Sequence, residues 1–567
     1  MGCGYGTLYY GRFPKLVSGD FFNLNPVSAM TTTNEHSDAT RNLRWQIYGI
    51  LIMISAGLCL GRILAVDNLR DRTIQEYRLT TIKKQQIDER RKEMESRNYP
   101  QDIIEKELQR VNRELTKQFQ TARPTLSAND RSRFCTIRVL VEPELRETRI
   151  VEKNGQKVEQ VVPYAIDKIR TKQGWDTIDM VCHTLPDDPE GTRYLYSSKP
   201  PLLPTVMAIP YWVIYKTTGI TFDTHSYLLT RITLILCHLM PLVIGWYLMA
   251  LMIERFGKSD WARIFAIAFT CFATFLSTFV VTLNNHLPAI FCIIIALYAG
   301  VRIWFDGDTR KRWFALAGFF AAFAFACEMP SALFFAILGL ALLIKFPRQT
   351  LIAGVPAAVV VVAAFFVTNY IAHQSPLPAY SQKDWYFFEN YQKYGKTINS
   401  YWSNPQGPDV GEANRGVYAF HTIAGHHGIL SLTPVWLIAI FGVLIMLLRP
   451  SSSGGHGVSA LPSAKPMRDF AIVTLVMTLI CIAFYLAMEL QNRNYGGMTC
   501  GHRWTFWLIP FWTLCLLPAL DGMAKYRLLR WCGLFLLLLS AMSVSYPLWN
   551  PWSPPWLQYF MDYLRLL

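Results

Sequence analysis

Apolar runs separated by short polar connections make up most of the chain outside residues 67–225. Each run is close to the roughly 20 residues that an α-helix needs to cross the core of a bilayer. A further run at 202–219 would reverse the sides of all later connections, so we assign it to a re-entrant or interfacial helix. The expected fold class is an all-α polytopic membrane protein with about 11–13 transmembrane helices. The predicted spans are 45–66, 226–254, 261–282, 287–304, 313–327, 330–346, 350–372, 428–448, 470–488, 503–522 and 529–547.

Charged residues are concentrated in one segment of the chain. Of the 95 Asp, Glu, Lys and Arg residues, 49 lie between Asp67 and Pro200. The other 433 residues carry too few charges to form a water-facing surface, which excludes a set of soluble domains. We therefore predict one large polar loop, residues 67–225, between the first span at 45–66 and a block of transmembrane helices at 226–372.

Arginine and lysine occur in every second connection between the predicted spans, and the positive-inside bias places those connections in the cytoplasm. Residues 1–44 are accordingly predicted to be the disordered cytoplasmic N-terminus of a multi-pass protein of the cell membrane, surrounded by membrane lipids. The large loop, a loop at 373–427 and the connection 489–502 are predicted on the non-cytoplasmic side. Residues 428–567 form the C-terminal helices and tail. Because the basic residues lie mostly beside apolar runs, the net charge of +15 does not indicate a nucleic-acid partner.

The large loop has two patterned parts. Residues 67–120, here called the arm, are rich in charged residues and Gln, with thinly spaced apolar positions. This pattern predicts one or two charged helices, or a helical hairpin broken at Asn98-Tyr99-Pro100, that act as a solvated spacer. Farther along, alternating apolar and polar residues flank Asn154-Gly155, a dipeptide typical of the two-residue β-hairpin turn. We expect a β-hairpin there, within a loop that also holds juxtamembrane helices.

Two short runs in the large loop, within residues 127–204, combine groups that can carry chemistry. Asp130 is followed by Arg131 and Arg133, and a Tyr-Ser-Ser-Lys-Pro-Pro-Leu run contains Lys199. A carboxylate can accept a proton, and Arg and Lys bind phosphate oxygens strongly. On spacing alone, a carboxylate beside arginines is more often a solvated ion pair, so both interpretations stay open.

In their order and position these two runs resemble motifs of the GT-C membrane glycosyltransferases, in particular the lipid A aminoarabinose transferases and the protein O-mannosyltransferases. Members of that group carry Asp-Glu-x-Arg-Tyr in the first outer loop and a later Tyr-x-x-Lys-Pro-Pro-Leu run. The resemblance covers residues 45–372. It implies that Asp130 is the catalytic carboxylate and that Arg133 and Lys199 bind the donor phosphate. Arg131 stands where the family has Glu.

Further candidates lie at the non-cytoplasmic ends of predicted helices. Asn285 and His286 open a helix where the family often has a second Asp, and His286 is either a proton acceptor or metal ligand, or a helix cap. Glu328 is the only carboxylate in an otherwise apolar stretch, so it either caps the next helix or faces the site. Arg503 follows a Gly-rich turn, as in many members of the superfamily, and is either a phosphate ligand or an interfacial residue.

The loop at 373–427 is crowded with Tyr, Trp and Phe side chains and is here called the aromatic loop. Such rings either stack on sugars or form a belt at the membrane interface, and both interpretations stay open. The loop ends in His426 and His427, with His421 upstream, and a zinc site would need more ligands than this spacing supplies. No cofactor is therefore certain, and a divalent metal is the one candidate.

The resemblance implies an integral-membrane inverting glycosyltransferase. The donor would be a sugar on a polyprenyl phosphate, the acceptor a lipid, a glycan or a protein, and transfer would occur on the non-cytoplasmic side. Two alternatives stay open: a transporter or flippase of lipid-linked sugars, and an inactive membrane scaffold. The chain has no recognisable repeat of helix groups and no nucleotide-binding Gly-Lys-Ser/Thr loop, which argues against the transporter.

Overall fold

The computed structural model describes residues 35–65, 78–120, 125–153, 156–172, 174–188, 190–448, 464–547 and 550–566. Residues 35–44 of the predicted disordered N-terminus are helical instead. Residues 1–34, the start of the arm, the Asn154-Gly155 turn and the connection at 449–463 lie outside the described residues. Helices make up most of the described chain, and the strands within it are short.

The described residues form helices and three small hairpins. The helices of the described residues are α1 (Glu35–Leu64), α2 (Lys83–Ser96), α3 (Gln101–Gln120), α4 (Ala128–Val141), α5 (Asp167–Thr171), α6 (Leu202–Thr218), α7 (Phe222–Phe256), α8 (Asp260–Phe272), α9 (His286–Trp304), α10 (Lys311–Cys327), α11 (Ala332–Lys345), α12 (Pro347–His373), α13 (Arg415–Ile423), α14 (Ile429–Leu432), α15 (Trp436–Leu448), α16 (Ala464–Ala487), α17 (Arg503–Met523), α18 (Arg527–Ser545) and α19 (Trp556–Tyr563). The strands are β1 (Glu147–Lys153), β2 (Gln156–Val162), β3 (Met180–Thr184), β4 (Arg193–Ser197), β5 (Tyr391–Lys393) and β6 (Lys396–Ile398), and they pair antiparallel in sequence order as three separate hairpins.

Seven of the described helices are long and apolar enough to cross a membrane, judged by length and composition: α1, α7, α9, α12, α16, α17 and α18. The chain is therefore a multi-pass helical membrane protein. The number of such helices is smaller than the eleven spans predicted. The predicted spans at 313–327 and 330–346 fold as α10 and α11, which have only 17 and 14 residues. The apolar helix α6 is not among the seven.

The predicted span at 261–282 is wrong in its second half. Helix α8 ends at Phe272, and the buried chain that follows is irregular up to the start of α9. Asn284 satisfies part of this backbone, because its Nδ2 donates to the carbonyl oxygens of Phe279 (2.9 Å) and Thr282 (2.7 Å). Irregular chain is tolerated inside a helical membrane protein when neighbouring groups satisfy its polar atoms. Apolar composition alone does not distinguish such a segment from a helix.

The predicted span at 428–448 is interrupted as well. Helix α14 ends at Leu432 and α15 begins at Trp436, with Pro434 between them. Proline has no backbone N–H and disfavours the helical conformation at the preceding residue, which is Thr433 here, with φ −136° and ψ 72°. The break leaves α15 as a helix of 13 residues.

Close helix contacts occur where glycine removes a side chain. A Cβ on Gly318 of α10 would lie 2.1 Å from the carbonyl oxygen of Gly354 in α12. A Cβ on Gly442 of α15 would lie 1.7 Å from the carbonyl oxygen of Cys515 in α17. Small residues let membrane helices pack backbone against backbone, which matters because lipid supplies no hydrophobic force between helices. Larger residues at these glycines would force the helices apart.

The described part of the arm is the predicted helical hairpin. Helices α2 and α3 bury Met94, Ile104 and Leu108 between them. The turn includes Asn98 in the left-handed conformation, with φ 56°. On the hairpin surface, Glu107 forms ion pairs with arginines of both helices.

Two hairpins shape the large loop. The β1–β2 hairpin is the one predicted around Asn154-Gly155, and it runs in register from Glu147 opposite Val162. The β3–β4 hairpin was not predicted from the sequence, and it places Met180 opposite Ser197. Asp179 and Lys199 lie just beyond this pair, and both line the candidate site described below.

Candidate functional site

Helix α4 begins with a capping box that involves Asp130. The Ser127 hydroxyl accepts from the backbone N–H of Asp130, and the Asp130 carboxylate accepts from the backbone N–H of Ser127 (2.9 Å). The same carboxylate accepts from the backbone N–H groups of Leu126 (2.9 Å) and Arg131 (2.8 Å), and from the Oγ1 hydroxyl of Thr282 (2.9 Å). Asp130 is therefore buried and heavily hydrogen-bonded, and it fixes the start of α4 against the irregular segment after α8.

Burial raises the pKa of Asp130 above its ordinary value, although the Arg131 charge and the donated hydrogen bonds oppose this shift. The direction favours a proton acceptor near neutral pH. However, Asp130 lines neither of the cavities described next. Arg131 does not line them either, and its Nε donates to the carbonyl oxygen of Asp176 (2.7 Å).

The other six predicted site residues line one cavity of about 600 Å³, which we call the apolar chamber. They come from separate parts of the chain: α4, the segment after β4, the start of α9, the α10–α11 turn and the start of α17. The six are Arg133, Lys199, Asn285, His286, Glu328 and Arg503. Residues scattered along the sequence are thus brought together at one site. We call Arg133, Lys199 and Arg503 the cation cluster.

A continuous hydrogen-bonded chain links two members of the cation cluster. Arg503 Nη1 lies 3.0 Å from His286 Nε2, and His286 Nδ1 lies 2.7 Å from Glu328 Oε2. Asn285 Nδ2 donates to the same Glu328 oxygen (2.5 Å), and Arg133 Nη2 donates to Asn285 Oδ1 (2.5 Å). A neutral His286 with its hydrogen on Nδ1 satisfies both neighbours, because it accepts from arginine and donates to the carboxylate. Glu328 therefore holds the chain together at its centre.

Lys199 is held by a carboxylate that sequence reasoning missed. Its Nζ lies 3.0 Å from Asp179 Oδ1. Asp179 directly precedes β3 and Lys199 closely follows β4, so the hairpin brings both to its open end. Burial opposes ionisation of Asp179, but the charges of Lys199, Arg133 and Arg503 outweigh it and hold the pKa of Asp179 below its ordinary value. The sequence did not predict the β3–β4 pairing, so it did not reveal this partner.

Arg133 keeps its charge despite burial. Burial lowers the pKa of Arg133 to about 10, while the nearby carboxylates Asp179 and Glu328 oppose the shift. Burial also lowers the pKa of Lys199, against the pull of Asp179. An arginine with a pKa of about 10 is still protonated at neutral pH. The cluster can therefore bind a phosphate through charge-assisted hydrogen bonds.

A second cavity of about 740 Å³, the polar chamber, shares Lys199 and Arg503 with the first. The two differ in their walls. The apolar chamber extends between α11 and α16, where Leu333 and Phe484 line it. The polar chamber is bounded by rings and polar side chains of the aromatic loop and the C-terminal segment: Tyr386, Phe387, Trp402, Asp409, Gln491 and Trp552. The cation cluster therefore lies where the apolar chamber adjoins the polar chamber.

Arg503 is positioned by the glycine turn that precedes it. Its Nε donates to the carbonyl oxygen of Gly496 (3.0 Å), and its guanidinium lies 5.0 Å from the centre of the Trp552 ring. Gly496 and Gly497 both have positive φ, at 98° and 74°, which favours glycine. A Cβ on Gly496 would lie 3.1 Å from Arg503 Nε, so a larger residue would press on the arginine.

The histidines of the aromatic loop contact one another rather than forming a ligand set. His426 Nδ1 lies 2.5 Å from His427 Nδ1, and His427 Nε2 lies 3.1 Å from the carbonyl oxygen of Thr499. His421 stacks on His426 with ring centres 3.9 Å apart. Within the described residues, no group of three or more His, Cys, Asp or Glu side chains is arranged to hold a metal ion. Of the three, His427 contacts the turn that carries Arg503, through the Thr499 carbonyl oxygen.

Known proteins give no further guide to the site. No protein family matches the chain, and neither a curated protein nor a solved structure matches it. The functional inference therefore depends on the chemistry of the site itself.

Proposed function

We propose that the protein is an integral-membrane glycosyltransferase of the GT-C type. It moves a sugar from a polyprenyl-phosphate donor to an acceptor on the non-cytoplasmic side of the membrane, with inversion at the anomeric carbon. One observation carries the proposal: Arg133, Lys199 and Arg503 line the apolar chamber, and Lys199 and Arg503 also line the polar chamber beside it. A lipid-linked sugar phosphate has the same three parts, namely an apolar tail, an anionic group and a polar sugar.

The cation cluster matches the requirement of the leaving group. When the bond between the sugar and the phosphate breaks, negative charge grows on the polyprenyl phosphate. Preorganised cations stabilise such charge strongly in a site that excludes water. Asp179 holds Lys199 in place before the donor binds. Glu328 holds Arg503 in place through His286.

The acceptor hydroxyl attacks the anomeric carbon from the face opposite the phosphate and loses its proton to a carboxylate. The resemblance assigns this role to Asp130, which stays a prediction. Asp130 lies behind the chamber wall, so it can take the proton only if contacts such as that with Thr282 rearrange on binding. In the structure as described, Asp130 holds the start of α4, and Arg133 lies on that helix.

Binding of undecaprenyl phosphate to the detergent-purified protein tests the donor site without knowledge of the sugar. Lys199→Ala removes a charge-assisted hydrogen bond worth about 1.5–3 kcal/mol, which corresponds to a loss of affinity of about 10-fold to 150-fold. Lys396→Ala, an exposed lysine on β6, is the matched control and should bind like the wild type.

Cleavage is then measured with radiolabelled undecaprenyl-phosphate glucose, mannose and arabinose. Release of the sugar from the lipid, reduced by Lys199→Ala, supports a transferase. Movement of an intact labelled donor across a vesicle membrane without cleavage would instead support the flippase alternative. Equal undecaprenyl phosphate affinity in the wild type, Lys199→Ala and Arg503→Ala would refute the donor site and leave the scaffold alternative.

A further inference from the structure

The polar chamber contains a carboxylate that no step above uses. Asp409 lies in the aromatic loop and lines this chamber together with Lys199 and Arg503. A Cβ on Gly497 would lie 2.9 Å from Asp409 Oδ1, and a Cβ on the adjacent Gly496 would lie 3.1 Å from Arg503 Nε. Gly496 and Gly497 are adjacent, and adjacent Cα atoms are about 3.8 Å apart. The Asp409 carboxylate and the Arg503 guanidinium therefore lie beside the same turn.

Three carboxylates line the two chambers among the described residues, and two of them are already paired. Glu328 is bound to His286 and Asn285, and Asp179 is bound to Lys199. Asp409 forms no ion pair in the described part of the chain, and one side chain donates to it, the hydroxyl of Tyr401 (3.0 Å). It is therefore the carboxylate best able to take a proton from a molecule in the polar chamber.

The electrostatics agree with this role. Burial raises the pKa of Asp409, and the negative charge of Asp179 adds to the shift, while the Tyr401 hydrogen bond and the positive charges of Arg503 and Lys199 oppose it without reversing it. A carboxyl group whose pKa moves toward neutrality is a stronger base. Asp179, with a lowered pKa and its lysine partner, is a weaker one.

The walls of the polar chamber have the chemistry that binds carbohydrate. Two indole rings are fixed by their own N–H groups: Trp402 Nε1 donates to the carbonyl oxygen of Ile178 (3.2 Å), and Trp552 Nε1 donates to Thr282 Oγ1 (2.9 Å). Rigid aromatic rings offer apolar faces on which a sugar ring stacks, and planar amides such as that of Gln491 pair with hydroxyl groups. A hydrocarbon acceptor would find few apolar aliphatic side chains on these walls.

We propose that the polar chamber binds a carbohydrate acceptor against Trp402, and that Asp409 accepts the proton of its attacking hydroxyl group. This inference rests on the proposed transferase function, names its acceptor class, and assigns the base to Asp409 in place of Asp130, which lines neither chamber. The acceptor oxygen forms the bond to the anomeric carbon while the bond from that carbon to the phosphate oxygen breaks. The proton goes to Asp409, and the electron pair of the broken bond leaves with polyprenyl phosphate, beside Arg503 and Lys199.

A printed array with glycans, Ser/Thr peptides and long-chain alcohols tests the acceptor class with the full-length protein in detergent. Binding to glycan spots is expected for the wild type and for Trp402→Phe, and a loss of at least about 10-fold is expected for Trp402→Ala. Undecaprenyl phosphate affinity should be unchanged in both variants, which shows that they are folded. Binding to peptide or alcohol spots alone, or to no glycan, overturns the acceptor class.

Transfer to the bound glycan tests the base. Asp409→Asn should lower kcat by about 100-fold or more and should abolish the acidic limb of the pH profile. Its affinity for undecaprenyl phosphate should be unaltered. Asp384→Asn changes an exposed aspartate of the same loop and should match the wild type. If Asp409→Asn keeps the wild-type kcat and pH profile, Asp409 is not the base. If the wild type neither binds undecaprenyl phosphate nor cleaves any donor, the transferase proposal itself fails.

Discussion

Replacement of Glu328 tests the hydrogen-bonded chain at the centre of the site. Its Oε2 accepts from Asn285 Nδ2 and His286 Nδ1, and the Glu328 and His286 side chains are only 7% and 3% exposed. Glu328→Ala leaves the buried Nδ1–H of His286 without an acceptor, whereas Asn285 Nδ2 keeps its bond to the Cys327 carbonyl oxygen (3.1 Å). An orphaned buried donor costs ~1–3 kcal/mol, and this is the expected loss of stability. Glu328→Gln keeps an acceptor oxygen but loses the charge, and its cost should be about half as large.

The assay is thermal unfolding of the purified protein in one detergent. Because the unfolding entropy grows with chain length, a protein of this size should lose about 1 °C in Tm per kcal/mol. Glu328→Ala is therefore expected to unfold a few degrees below the wild type, with Glu328→Gln between them.

Glu489 provides the matched control. It forms an ion pair with Lys383, but both side chains are more than 60% exposed, and surface pairs contribute little. Glu489→Gln and Glu489→Ala should unfold at the wild-type temperature. The reasoning is refuted if the Glu328 variants unfold at the same temperature as the Glu489 variants.

Two further predictions concern packing and pH. Gly442→Ala should lower the thermal stability by the ~1–3 kcal/mol typical of overpacking, because its Cβ would lie 1.7 Å from the Cys515 carbonyl oxygen. Gly339→Ala, with open space around its Cβ, should not, and equal Tm values for the two variants would contradict the packing argument. Burial raises the pKa of Asp167 to about 6 from an ordinary 3.8. The folded state therefore binds this proton more tightly than the unfolded chain, so the stability of the wild type relative to Asp167→Asn should fall as the pH rises from 4 to 6. Unfolding measured at intervals of half a pH unit checks this sign, and a difference that is constant or grows with pH would disprove it.

The sequence predicted most membrane helices because apolar runs of sufficient length are a direct signal. It failed where composition does not determine conformation. The buried chain after Phe272 is as apolar as a helix, but its backbone is irregular and is held in part by Asn284. Pro434 interrupts the apolar run at 428–448, but the composition of that run is that of a continuous helix.

For the site, the sequence placed six candidates that the structure brings to one cavity, since each lay in a motif or at a helix end. Asp130 also lay in a motif, but the structure places it behind the wall of the apolar chamber. Asp179 and Asp409 were missed for a different reason. Asp179 reaches Lys199 only through the unpredicted β3–β4 pairing, and Asp409 reaches the chamber only because its loop packs on the glycine turn. Such tertiary contacts leave no local pattern.

The hydrogen-bonded chain across the apolar chamber also constrains when the site comes into existence. It connects Arg133 to a residue 152 positions later, and His286 to a residue 217 positions later. During synthesis, Arg133 and Lys199 leave the ribosome long before Arg503, which completes the cluster. A partly made chain would therefore contain no finished anion pocket, and the protein would acquire its chemistry only when almost the whole polypeptide had been inserted.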